Sequence, residues 1–361
     1  MSSSTQTPHY AALDGLRGIA AIAVVILHYM DVLYGYNLAK NPTTHSYLAV
    51  DFFFCLSGFV IGYAYDGRIK KIGTGRFLLN RLIRLHPLVV IGSAIGLIVY
   101  VTDPFLDNPL AAGWKAIILA FVMTLFMIPA PFLNYKTNLL FPYNTPTWSL
   151  IFEYIINVVY AFLLCRVTRR WLVVVSLLSA LFLIYVVQDS GLYAGGWSIK
   201  NYMHGLARVS FAFTAGLIIF RFQLIWQHRM GFLLPFLMLI AVFYSPHYRN
   251  DWAVELLLAM LVLPAILSIG AGANVQGVTE RLCNFLGRLS YPLYMTHVST
   301  VFLLEHYYAK IKTPDGIIPP TLFIVAFSLI IFNLFFAYAI LRWVDEPVRK
   351  WLNALVRKKK N

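Results

Sequence analysis

With 361 residues, 60% of them hydrophobic and only 12% charged, and a mean hydropathy of +0.71, this chain cannot be an ordinary soluble domain. Its formal net charge of +14 would suit a nucleic-acid binder. However, the basic residues sit in short loops between apolar runs and in the tail Arg357-Lys358-Lys359-Lys360, as in cytoplasmic membrane loops. Membrane lipids are therefore the expected partner, and nucleic acid is not.

Apolar runs suited to helical spans lie at roughly 15–34, 48–66, 84–102, 148–165, 171–187, 203–220, 231–245, 252–269, 289–308 and 319–342. A further run at about 115–133 is short and ends in Pro129-Ala130-Pro131. The basic loop carrying Arg68, Lys70, Lys71, Arg76, Arg81 and Arg84 belongs inside by the positive-inside rule. The later clusters Arg166/Arg169/Arg170, Arg221/Arg229, Arg281/Arg288 and the tail fall inside as well only if 115–133 does not cross. The expected fold is an all-α polytopic membrane protein of about ten transmembrane helices around an intramembrane active-site cavity. Both termini are expected in the cytoplasm. It reads as one domain over 1–361, with a core of about 10–345 and a short basic tail at 346–361. The first run lacks a basic n-region and a small-residue cleavage pattern, so it reads as an uncleaved span.

Chemistry-bearing residues interrupt the apolar runs. In the first, Asp14, Arg17 and His28 share one helix face, with Arg17 and His28 within roughly 20° of each other and about 16 Å apart along the axis. Ionisable groups inside a span are costly and usually point at a cavity or a partner. In the second run, Asp51 precedes Ser57-Gly58; Ser57 lacks a nucleophile elbow, and the Ser-Gly pair suits close helix packing. Arg81 and Arg84, at i and i+3, project together and suit phosphate, which each guanidinium can bind in bidentate fashion.

The segment Asn144-Thr145-Pro146-Thr147-Trp148-Ser149 reads as a helix start entering from outside, with Thr145 as N-cap and Pro146 at the first helical position. Trp148 suits the interface belt, and Glu153 follows inside an apolar helix. His28, counted up from the inside, and Glu153, counted down from the outside of a core about 30 Å thick, both fall at about 20 Å. Such a pair fits a carboxylate-oriented general base. Late in the chain, Ser290-Tyr291-Pro292-Leu293-Tyr294-Met295-Thr296-His297 places a second imidazole near mid-membrane, with Pro292 in a first turn or at a kink. His9, His45, His204, His228, His247 and His306 carry no special signal. Cys55, Cys165 and Cys283 show neither metal spacing nor a disulfide framework, so no metal site is expected.

Together these motifs resemble the membrane-bound acyltransferase family 3 proteins, over about residues 10 to 345. The match rests on Arg17-x10-His28, Phe53-x3-Ser57-Gly58-Phe59, Arg81-x-x-Arg84, Trp148-Ser149-x3-Glu153 and Ser290-Tyr291-x2-Tyr294-x2-His297. The resemblance implies an acyl-CoA-dependent O-acyltransferase acting on a glycan or another hydroxyl compound at the surface of a bacterial inner membrane. It places Arg17 and His28 in the active site, with Arg81 and Arg84 on the cytoplasmic face where the donor binds. Longer family members carry an appended extracellular hydrolase-like domain, and none is expected in these 361 residues.

The expected catalytic set is His28, Glu153 and Arg17, with Arg17, Arg81 and Arg84 holding the donor. Asp14, Ser57, Trp148, Tyr291 and His297 are secondary candidates. Acyl-CoA, acetyl-CoA first, is a donor substrate, and no permanently bound cofactor is expected. A covalent acyl-enzyme on His28 or Ser57 is a variant mechanism. The rival reading is a proton-coupled transporter of anionic solutes. Homo-oligomerisation is left open.

Overall fold

A computed structural model describes residues 9–134, 138–248, 251–311 and 319–358. Regular structure among the described residues is helical, apart from two isolated bridges between loops, Leu139 with Ser198 and His228 with Ala273. In a hydrocarbon environment every backbone polar group needs an internal partner, which the helix supplies.

The helices are α1 (Ala11–Leu33), α2 (Ala49–Tyr65), the short α3 (Ile69–Ile72), α4 (Thr74–Thr102) and α5 (Trp114–Leu125). Next come α6 (Thr147–Val159), α7 (Arg169–Ser190), α8 (Tyr202–Arg221), α9 (Leu233–Phe243) and α10 (Asp251–Leu257). The last are α11 (Leu263–Gly272), α12 (Gly277–Thr296), α13 (Val298–Ile311), α14 (Pro320–Ile340) and α15 (Glu346–Lys358). A π turn extends α6, and two others join α10 to α11 and α14 to α15.

Eight helical runs among the described residues are long and apolar enough to cross a membrane, so the chain is an all-α polytopic membrane protein. The 115–133 run gives only the 12 residues of α5, about 18 Å of helix against a core of about 30 Å. The run expected to span at 231–245 is also short: α9 has 11 residues. Its flanks supply the remaining reach. Ser245 meets His45 beyond the end of α1, while Trp226 bonds the Ser268 carbonyl at the far end of α11. The run expected at 289–308 is broken at His297, between α12 and α13. Pro292 lies inside α12, which continues through it.

Parallel helices α2 and α8 form a close seam. Asp51 receives Arg208 at one end, at 2.7 and 3.0 Å, and Asp66 receives Arg221 at the other, at 2.6 and 2.9 Å. Between these clasps Gly58 lies on the Phe213 carbonyl and Gly216 on the Cys55 carbonyl, where a Cβ would strike backbone. Small residues at such seams let membrane helices pack backbone to backbone. Gly216→Val is therefore expected to destabilise the protein by at least about 1–3 kcal/mol. The check is a lower apparent Tm and a smaller monodisperse yield in detergent.

Arg221 also donates to the carbonyls of Leu164 and Val167. The basic loops after α2, α6 and α8 thus meet at one end of the bundle. The opposite end holds the Asp51–Arg208 clasp, Asp31 with Asn41 and His45.

Candidate active site

Six of the sequence candidates meet at a cavity of about 260 Å³ at the basic end, between α2, α4, α6, α12 and α15. Its lining includes Arg17, Arg81, Arg84, Ser57, Glu153 and Tyr291. Arg17 is aimed by its own helix and by α12: Nη2 pairs with Asp14 at 2.6 Å and donates to the Gly287 carbonyl at 2.8 Å, and Nε donates to Ser290 Oγ at 3.1 Å. That contact needs α1 and α12 close together, and Gly287 permits it by leaving room for Asp14. Asp14 is thus the partner of Arg17 and does not itself line the cavity.

Arg81 and Arg84 project into the same cavity from one turn of α4, as their spacing predicts, but their situations differ. Arg81 is buried and forms an ion pair with Glu153. Arg84 makes no hydrogen bond or ion pair with a described residue. Ser57 donates to Glu153 Oε1 at 3.0 Å, so that carboxylate gathers a guanidinium and a hydroxyl. Tyr291 donates its hydroxyl to the Leu85 carbonyl at 2.5 Å.

Asp345 and Arg349 also line the cavity and pair at 2.5 Å. Arg349 lies in what reads in sequence as the basic tail. Residues 346–358 are instead helix α15, while Lys359 to Asn361 lie outside the described residues. The signal for this missed residue is the i, i+4 spacing of Asp345 and Arg349, which places them on one helical face.

Glu153 does not orient His28. Equal depth requires α6 to begin at the membrane surface, but Asn144 donates to the Met295 carbonyl at 3.1 Å and packs against Gly92 of α4. Gly92 lies well inside α4, so α6 starts within the bundle. Ser149 bonds the Tyr294 hydroxyl at 2.9 Å, one turn below His297, and Glu153 lies one turn below Ser149. The offset between Glu153 and His297 is therefore about 10 Å.

The ring beside His28 is His297, with centroids 5.4 Å apart and planes at 16°. The carboxylate nearest His28 is Asp31, whose Oδ2 is 3.8 Å from Nδ1 and whose Oδ1 is held by Asn41 at 2.8 Å. His28 is 39% exposed, whereas His297 is fully buried. His297 Nδ1 faces the Leu293 and Tyr294 carbonyls at 3.1 and 3.0 Å. Carbonyls only accept, so Nδ1 carries the hydrogen and Nε2 keeps its lone pair. That Nε2 is buried and has no hydrogen-bond partner among the described residues.

Neither imidazole lines the arginine cavity. Phe53 and Tyr294, which do, meet edge to face at 5.8 Å, and His297 lies 6.1 Å beyond the Tyr294 ring. The two aromatic rings separate the guanidiniums from the histidines.

Two further expectations fail. Trp148 is not at an interface but is buried against Trp197 and Phe152, with the Arg208 guanidinium 5.4 Å from its ring. Thr145 is not the N-cap of α6, which begins at Thr147 after Pro146 and has no side-chain cap. A wider hollow of about 410 Å³ lies beside Asp66, Cys165 and Arg221. Its carboxylate and guanidinium neutralise each other.

"Protein 2 in picA locus" of Rhizobium radiobacter is 34% identical over 196 residues, covering 52% of this chain and 99% of that protein. "Putative O-acetyltransferase SACOL0978" of Staphylococcus aureus (strain COL) is 25% identical over 374 residues, covering 94% of this chain. The match takes in only 57% of the Staphylococcus protein's own length. "Acyltransferase MdmB" of Streptomyces mycarofaciens is 31% identical over 151 residues, covering 40% of this chain and 36% of that protein. No solved structure matches the chain. The family model described as "Acyltransferase domain" matches residues 10–342, nearly the whole chain, and the protein belongs to that acyltransferase family.

Proposed function

We propose that this protein moves an acyl group, acetyl first, from cytoplasmic acyl-CoA to a hydroxyl of a glycan or another surface acceptor. It does so in a bacterial inner membrane, with both termini in the cytoplasm. The observation that carries this reading is the pairing of an arginine-lined cavity at the basic end with two stacked imidazoles just beyond it. Arg84, Arg17 and Arg349 hold the phosphate-bearing part of the donor, since guanidiniums bind phosphate through paired charge-assisted hydrogen bonds. Arg81 holds Glu153, which with Ser57 borders the path of the thioester arm.

The acyl end must pass Phe53 and Tyr294 to reach His28, so a turn of the Tyr294 ring is part of the cycle. His28 then accepts the acceptor's hydroxyl proton as the oxygen attacks the thioester carbonyl. Collapse of the tetrahedral intermediate breaks the carbon–sulfur bond, and the imidazolium returns its proton to the departing thiolate. Asp31 steadies the imidazolium, the role first assigned to Glu153; long hydrogen bonds in a ligand-free site commonly tighten once substrate binds.

The test uses purified protein, labelled acetyl-CoA and a mixed glycan acceptor. Labelled ester in the glycan fraction is the expected result. Anion counterflow into liposomes without thioester cleavage would favour the transporter and overturn the proposal.

A further inference from the structure

At the end of the bundle away from the arginine cavity, two segments some 200 residues apart bring together His45, Asp251 and Glu255. His45 lies in the short helical turn Thr44–Leu48 that leads into α2, and the carboxylates are one turn apart at the start of α10. His45 is 0% exposed. Its Nδ1 lies 3.0 Å from the Ser245 carbonyl and 2.9 Å from the Ser245 hydroxyl. Because the carbonyl only accepts, Nδ1 carries the ring hydrogen.

In the neutral imidazole Nε2 then presents a lone pair; it is buried and without a hydrogen-bond partner among the described residues. Facing it are Asp251 Oδ1 at 3.3 Å and Glu255 Oε1 at 3.7 Å. Three potential ligand atoms lie within 4.8 Å of one another, with Asp251 Oδ1 also accepting the Tyr248 N–H at 2.9 Å and the Tyr47 hydroxyl beside Glu255, an arrangement that suits a cation. A tetrahedral zinc ion with bonds of about 2.0–2.1 Å sets its ligand atoms about 3.3–3.4 Å apart, close to the separations of Nε2 from the two carboxylates. The supporting contacts also fit, since metal-binding imidazoles usually donate their other N–H to a carbonyl or carboxylate. The Ser245 carbonyl takes that place here, and His247 holds the second oxygen of Asp251.

The geometry points to a divalent-cation site of the zinc class, ligated by His45 Nε2, Asp251 and Glu255, that staples the α1–α2 connection to the start of α10. One imidazole with two carboxylates suits zinc better than the all-oxygen shells of magnesium or calcium. The site is remote from the arginine cavity and stands independently of the acyl-transfer reading.

The experiment uses the full chain, free of any affinity tag, in detergent. The protein is stripped with chelator, reloaded with Zn²⁺, desalted, and its metal counted by elemental mass spectrometry alongside thermal unfolding. The wild type is expected to retain about one zinc per chain and to unfold at a higher temperature with it than without. Glu255→Gln and Asp251→Asn, which keep side-chain volume, are expected to weaken zinc binding roughly 10-fold or more; His45→Gln should abolish it. If the buried His45 variant fails to fold, the two carboxylate variants decide. Wild-type protein that keeps no zinc and shows no zinc-dependent stabilisation overturns the site. Equal zinc retention by wild type and both carboxylate variants also overturns it, because the metal would then lie elsewhere.

Discussion

Folded His28→Ala protein is expected to lose acyl transfer by about 10²–10⁴-fold or more while still binding acyl-CoA. The reason is spatial. The guanidiniums proposed to hold the donor line a cavity from which His28 is absent, beyond the aromatic pair Phe53 and Tyr294. His28→Gln should not restore activity, since an amide cannot take the hydroxyl proton. Asp31→Asn should cost less, and its combination with His28→Ala should add little, because residues acting as a unit are non-additive. Glu153→Gln separates the two accounts of the carboxylates: it is expected to raise the KM for acyl-CoA more than it lowers kcat. Initial rates per folded molecule, with donor binding measured in parallel, check the set. Folded His28→Ala that turns over normally would move the chemistry to His297, whose buried Nε2 is the next acceptor lone pair.

Arg84→Ala is expected to raise the KM for acyl-CoA about 10- to 100-fold, the equivalent of losing one charge-assisted hydrogen bond of about 1.5–3 kcal/mol. The KM for the acceptor should scarcely move. Arg81→Ala should behave differently despite its matching position one turn away. Arg81 is buried against Glu153, and removing one partner of a buried ion pair typically costs about 3–5 kcal/mol of stability. Its first symptom is a poor yield of folded protein. Steady-state kinetics on Arg84→Ala, beside unfolding curves for both variants, tests this division. Equal KM effects with unchanged stability would restore the symmetric phosphate clamp.

Much of the first helix was legible because its information is local. The spacing of Asp14 and Arg17 on one face predicts their contact, and the structure places them at 2.6 Å. Gly58 likewise signals close packing, and it rests on the Phe213 carbonyl. Other features depend on where a helix begins in depth, which periodicity does not encode. Glu153 shares the height of His28 only if α6 starts at the surface, whereas Asn144 anchors that start inside the bundle, against Gly92 and Met295. The His28–His297 stack joins helices remote in sequence and requires the break after Thr296. Arg208 carries no sequence signal, because nothing near it in the chain reveals its match with Asp51. His45 seemed an ordinary loop histidine until Ser245, Asp251 and Glu255 arrived from a segment 200 residues away.

The central claim is that donor and acceptor approach from opposite ends of the helix bundle and meet at His28. Proteoliposomes with one protein orientation test it most directly, with labelled acetyl-CoA confined to the face bearing Arg84 and Arg349 and a membrane-impermeant glycan acceptor on the other. Ester should form on the acceptor side only, and reversing the two substrates should abolish it. Product formed only when donor and acceptor share one face would contradict the account.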